Sequence, residues 1–148
     1  MAPEIVLPSY LNDAEKTRQA INERDWVTYG DIGHVDADGY LFLSDRRADL
    51  ILSGGVNLYP QEIENALARH PDVQELAVVG VPHPDFGEVG VAVIVPRKGA
   101  QLDGLKILES LKARLANFKV PKRCYVVDSL PRNTMGKVQK KLLRDQYQ

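Results

Sequence analysis

Lys137 directly follows Gly136 in the stretch Leu130-Pro-Arg-Asn-Thr-Met-Gly-Lys137. Pro131, Asn133 and Gly136 discourage regular structure there and hold the amine out on a defined turn. An ammonium delivered in this way is a point charge, suited to stabilising negative charge as it builds on phosphoryl oxygens. Taken alone, a Gly-Lys pair beside a basic terminal helix is better explained as one more solvated lysine. Asp31 lies after Gly30, where a carboxylate can accept hydrogen bonds from vicinal hydroxyls such as those of a ribose. A plain turn aspartate would look the same. Arg46 offers a planar fork for ribose or phosphate oxygens, or else a salt bridge to Asp45 or Asp49. Phe86-Gly87 and the run Phe118-Lys-Val-Pro-Lys-Arg123 bring aromatic rings and the bases Lys119, Lys122 and Arg123 into play. Those rings could instead anchor a core, and bases at a helix end complement its dipole. His34, His70 and His83 are scattered and suit no metal site.

These side chains need elements to position them. Ile32–Val35 and Tyr40–Leu43 flank the turn Asp36-Ala-Asp-Gly39, which predicts a hairpin carrying Asp31 at one end. Before it the pattern predicts an extended piece around Ile5-Val6-Leu7, a polar helix from about Asp13 to Asn22, and a strand. The apolar runs Tyr40–Ser44 and Leu50–Ser53 are separated by Asp45-Arg-Arg-Ala-Asp49, a connector too polar for a core. Gly54-Gly55 supplies a tight turn, and Tyr59-Pro60-Gln61-Glu62 opens a helix to about Arg69 with Ile63, Ala66 and Leu67 on one stripe. Val73–Val81 and Glu88–Val95 read as paired strands around the loop Pro82–Gly87. Leu105, Leu108, Leu111 and Leu115 recur at helical spacing, Tyr125–Val127 make a third core strand, and a short helix follows Val138. Strands and helices alternate without a regular βαβ period. The expected class is α+β, a small mixed β-sheet with helices packed on it.

Three blocks together identify a resemblance. Asp45-Arg-Arg-Ala-Asp49 followed by Ile51-Leu-Ser-Gly-Gly-Val-Asn-Leu-Tyr-Pro-Gln-Glu-Ile-Glu64, Trp26–Gly33 (WVTYGDIG), and Leu130–Lys137 stand in the order they take in acyl-CoA synthetases of the AMP-forming, adenylate-forming family. From about Tyr10 to its end the chain resembles the carboxy-terminal part of such an enzyme. The resemblance implies that residues 1–46 are the tail of a large amino-terminal adenylation domain, ending in a β-hairpin. It implies that 47–148 form the mobile C-terminal domain, with a hinge at about 45–49 that includes Ala48 and Asp49. Lys137 is then the adenylation lysine, and Asp31 and Arg46 bind nucleotide. Gly54, Gly55, Phe86, Phe118, Lys119 and Lys122 face CoA. ATP, CoA, a carboxylic acid and Mg2+ are implied, the Mg2+ ligands lying outside this chain. The wording around Ser53–Glu62 most resembles ligases for fatty or steroid-like acids. Three positions depart from the family's pattern: Ala48 replaces a polar pivot, Thr28-Tyr29 stands where Thr usually precedes the Gly, and Val120 replaces a base found in some relatives.

Composition sets limits. At 148 residues, the chain can bury one sizeable core and hold part of a second domain. Enzymes of that family are several times longer, so the expectation is a fragment that does not turn over alone. Hydrophobic residues make up 44% and charged ones 26%, with net charge −1, which excludes a generally basic surface for nucleic acid. One cysteine, Cys124, forms no internal disulfide, and no apolar run approaches the length of a membrane span, so a cytoplasmic location is expected. The hairpin's apolar face is expected to lie unsatisfied, and pairing between copies is one way to cover it. Two other readings share these residues: a non-catalytic CoA- or nucleotide-binding module, and an adenylation domain acting with a carrier protein.

Overall fold

The computed structural model describes residues 10–148, so the extended piece around Ile5–Leu7 lies outside the described residues. Helix α1, Ala14–Gln19, is capped by Asp13, whose carboxylate accepts the Lys16 N–H. The strand expected after it does not form. Asn22 Oδ1 takes the amides of Arg24 and Trp26, Asp25 sits at φ 57°, and all that remains is an isolated bridge between Ile21 and Val27. A side chain that captures nearby amides in this way removes donors that a strand partner would use.

Strands β1 (Asp31–Val35) and β2 (Leu41–Arg46) make the expected antiparallel hairpin, with Asp31 opposite Arg46. A single 3-10 turn, Arg47–Asp49, leads into β3 (Ile51–Ser53). The Gly54-Gly55 turn then returns the chain in β4 (Val56–Leu58), a strand the sequence did not announce because its three residues are too few to show a period. Both glycines have positive φ, +57° and +80°, the requirement of the tight turns that suit a hairpin.

Helix α2 is Pro60–Leu67, and the long pair β5 (Val73–His83) and β6 (Gly87–Pro96) pairs through to its turn, so half of the expected loop is strand. Helix α3 spans Gly104–Leu111, shorter than its leucine spacing suggests; Leu115 is nonetheless buried. Strand β7 (Arg123–Val126) lies parallel to β6, and α4 (Lys140–Tyr147) closes the chain. The sheet order is β4-β3-β6-β5, with β7 on the same side of β6 as β3, and the parallel β6–β7 pairing makes the sheet mixed.

Both faces of this sheet are covered. On one, Val78, Ala92 and Ile94 pack with Ile51 and with Ile63, Leu67, Ile107 and Leu111 of α2 and α3. On the other, Val79, Val91 and Val93 pack with Leu130 and Leu143, the latter from α4. That is why β5 and β6 read as unbroken apolar runs instead of alternating ones. The arrangement is the α+β fold expected, three layers deep, with α4 on one side and α2 and α3 on the other.

Candidate functional site

Lys137 is positioned by a loop that is short but well held. Asn133 Oδ1 accepts the N–H groups of Met135 (3.0 Å) and Lys137 (2.9 Å), and the Asn133 amide bonds the Lys137 carbonyl at 2.9 Å. Gly136 turns the chain at φ +79°, a left-handed conformation that a side chain would strain. The base of the loop is closed by a bridge between Arg132 and Val138, and the Arg132 guanidinium pairs with Glu75 at 2.7 Å. Helix α4 begins three residues later. It is fixed by Leu143 in the core and by Lys140, whose ammonium meets Glu64 at 2.8 Å. The same Glu64 oxygen accepts the Val78 N–H.

The Lys137 side chain lines a cleft of about 820 Å3 that also receives Asp31, Arg46, Ala48, Asp49 and Arg144. Asp31 and Arg46 face each other across the hairpin ladder and pair at 3.3 Å, so Arg46 takes neither of the acids nearer in sequence as a salt-bridge partner. Arg144 donates to the Ala48 carbonyl at 3.0 Å and to Asp49 Oδ1 at 3.2 Å, tying the turn to α4. Among the described residues, Lys140, Arg144 and Arg46 are thus each matched by an acid, whereas Lys137 has no carboxylate within 4.0 Å. Two cations of the cleft lining are left without an acid, Lys137 and Lys141, and of these Lys137 is the one on the Gly136 turn. Opposite it stands a carboxylate–guanidinium pair able to accept from hydroxyls and donate to phosphate oxygens.

The residues expected to face CoA fall into two groups. Gly54 donates to the Phe86 carbonyl at 2.8 Å, and a Cβ on Gly54 would lie 3.4 Å from Phe86 Cδ1. The Lys122 ammonium sits 5.5 Å from the Phe86 ring centroid, so Gly54, Phe86 and Lys122 are contiguous, with Gly55 next in the turn. Phe86 is 42% exposed and Phe118 53%, so neither ring is a core anchor. Lys119 lies 5.9 Å from the Phe118 ring, but its ammonium is held by both oxygens of Glu62 at 2.7 and 2.8 Å. That pairing spends its charge inside the protein and leaves Lys122 the freer cation of the two.

Three functional neighbours went unmarked in the sequence. Asp45 stands in the polar connector and Arg144 in the terminal helix, and nothing in their spacing marks either. Glu64 carried a signal: it stands at i+4 from Pro60 and next to Ile63, on the stripe that buries Ile63 and Leu67. Among the described residues no group of three His, Cys, Asp or Glu side chains could hold a metal, and no helix is long and apolar enough to cross a membrane.

Comparison with known proteins puts this geometry in context. The sequence model of the AMP-binding enzyme C-terminal domain matches residues 62–137. A 3-[(3aS,4S,7aS)-7a-methyl-1,5-dioxo-octahydro-1H-inden-4-yl]propanoyl:CoA ligase of Rhodococcus jostii is 48% identical over 143 residues, 97% of this chain and 28% of its own length. A long-chain-fatty-acid–CoA ligase of Mycobacterium tuberculosis is 41% identical over 97% of this chain and 28% of its own length. The chain therefore spans about 28% of the length of these curated relatives. Among solved structures, ATP-bound MatB from Rhodopseudomonas palustris superposes with a TM-score of 0.86 at 46% identity, over 94% of this chain and 28% of MatB. The apo form of MatB superposes with a TM-score of 0.71 at the same identity, over 95% of this chain and 28% of MatB.

Proposed function

Because this chain belongs to the family of the AMP-binding enzyme C-terminal domain, we propose that it works as the C-terminal part of an ATP-dependent carboxylate–CoA ligase, which forms an acyl adenylate and then a thioester. Residues 47–148 are the mobile domain, 1–46 are the tail of the large domain, and the hinge lies at about 45–49. Lys137 is the adenylation lysine: attack of a carboxylate on the α-phosphate of ATP builds negative charge, and an unpaired ammonium brought to those oxygens stabilises it. Asp31 and Arg46 bind the ribose and phosphates. Gly54, Gly55, Phe86 and Lys122 face CoA after the domain turns, with Phe118 and Lys119 at the edge of that surface. Mg2+ is held by residues beyond this chain, and the enzyme works in the cytoplasm. The names of the two relatives above, an indenylpropanoyl:CoA ligase and a long-chain-fatty-acid–CoA ligase, agree with a fatty or steroid-like acid as the substrate.

The observation that carries this reading is the meeting of Lys137 with the Asp31–Arg46 pair in one cleft, although they come from opposite ends of the chain. Its support is strengthened by the better superposition on the ATP-bound than on the apo form of MatB.

The test is Lys137→Ala in the longer ligase. Adenylation, followed as pyrophosphate exchange, should fall by about a hundredfold or more. Thioester formation from a preformed adenylate should be spared. Equal loss of both half-reactions would remove Lys137 from the adenylation step. The 148-residue chain alone should give no acyl-CoA, and measurable turnover by it would sink the proposal that the acyl pocket lies elsewhere.

A further inference from the structure

The hairpin side and the small domain share few polar contacts. Among the described residues, one hydrogen bond joins 10–46 to 50–148: Asp45 Oδ2 accepts the Gln61 backbone N–H at 3.0 Å. The neighbouring bonds stay on one side. Arg46 pairs with Asp31 and the Arg47 N–H meets the Gly30 carbonyl on the hairpin side, while Arg144 ends on the turn itself, at Ala48 and Asp49.

Gln61 is the second residue of α2, and its N–H is one of the first-turn donors that no helical carbonyl can reach. Tyr59, at the N-cap, supplies no side-chain acceptor. A carboxylate from β2 supplies one instead, with a charge that suits the positive end of the helix. Its other oxygen accepts the Arg46 N–H at 2.7 Å, so the carboxylate is fixed in aim.

Arg144 completes the geometry. By holding the Ala48 carbonyl and Asp49 to α4, it makes everything from that carbonyl onward part of one body. Rotation about the Ala48 backbone then leaves the Arg144 bonds intact and must break the bond between Asp45 and Gln61.

We propose that Asp45 is a latch, a positioning residue whose cap on α2 holds the arrangement in which Lys137 faces Asp31 and Arg46, and which opens when the small domain turns. This rests on the assignment of 45–49 as a hinge.

The experiment is an interspin distance measurement on the 148-residue chain, with labels at Asp38→Cys on the hairpin turn and Lys98→Cys beyond β6, in a Cys124→Ser background. The parent should show one dominant distance. Asp45→Ala should raise the fraction at other distances about fivefold, the worth of a typical helix cap. Asp45→Asn, whose single amide oxygen can keep the Gln61 N–H only by giving up the Arg46 N–H, should fall between the parent and Asp45→Ala, and unchanged circular dichroism shows that the parent and both variants are folded. A distribution that Asp45→Ala leaves unchanged, or that Asp45→Asn disturbs as much as Asp45→Ala does, overturns the latch. No ATP, CoA or acid enters the measurement, so failure of the ligase reading and failure of the latch are told apart.

Discussion

At the scale of single residues, the chemistry depends on which charges are already taken. Glu64, only 14% exposed, spends one oxygen on both the Val78 N–H and the Lys140 ammonium, and so keeps a neighbouring base from competing with Lys137. Glu62 takes up the Lys119 ammonium with both of its oxygens. Burial pushes the Cys124 thiol from 9.0 up to about 11. The raised value means that the folded protein holds this proton more tightly than the unfolded chain. Its contribution to stability is therefore whole below about pH 9 and is lost as pH rises towards 11. Two observations check this. At pH 8 iodoacetamide should alkylate Cys124 about a hundredfold more slowly than a free cysteine peptide, since only the thiolate attacks. The urea midpoint of a Cys124→Ala variant, compared with that of the parent, should show a gap that changes only above pH 9. A thiol that reacts at the peptide's rate would mean that the β7 region opens freely.

At the scale of elements, the loop that presents Lys137 is held by two side chains, Asn133, which caps two of its amides, and Arg132, whose guanidinium donates to the Gly136 carbonyl. Asn133→Ala should therefore leave the melting temperature of the domain within a few degrees, because the loop lies outside both core clusters. In the longer ligase it should slow adenylation by about ten- to a hundredfold, the cost of a misplaced catalytic group. An unchanged adenylation rate would mean that Gly136 and the bridge between Arg132 and Val138 set the loop by themselves. This loop shows what the sequence made legible. Pro131, Asn133 and Gly136 announced a turn, and the hairpin, α2, β5 and β6 were equally plain, because a turn signal or a long apolar run marks each of them. What stayed hidden was short or relational. Strand β4 has too few residues for a period. The strand expected before β1 was defeated by the Asn22 side chain, a local bond with no apolar signature. Asp45 and Arg144 acquire their roles only from partners far along the chain, and one sequence records no such pairing.

At the scale of the whole molecule, the two parts of the chain are satisfied to different degrees. The sheet of the small domain is covered on both faces, whereas the hairpin side leaves large apolar groups open: Trp26 is 68% exposed and Leu43 66%, with Val35, Tyr40, Leu41 and Phe42 also exposed. Leu41, Phe42 and Leu43 are consecutive in β2, so their side chains leave both faces of the hairpin uncovered. Contiguous apolar surface of that kind marks a place where other protein belongs. In the ligase proposed above, that protein is the large domain, and in the isolated chain a second copy is the nearest substitute. The stability of the chain should then reside almost wholly in 47–148, because both core clusters lie there. A chain trimmed to 47–148 should keep one cooperative melting transition within a few degrees of the parent, bind less of a hydrophobic dye, and lose any concentration-dependent association that the parent shows in sedimentation. Collapse of the cooperative transition on trimming would instead mean that the hairpin, through its contact with α2, is part of the folding unit, and the boundary at the hinge would have to be moved.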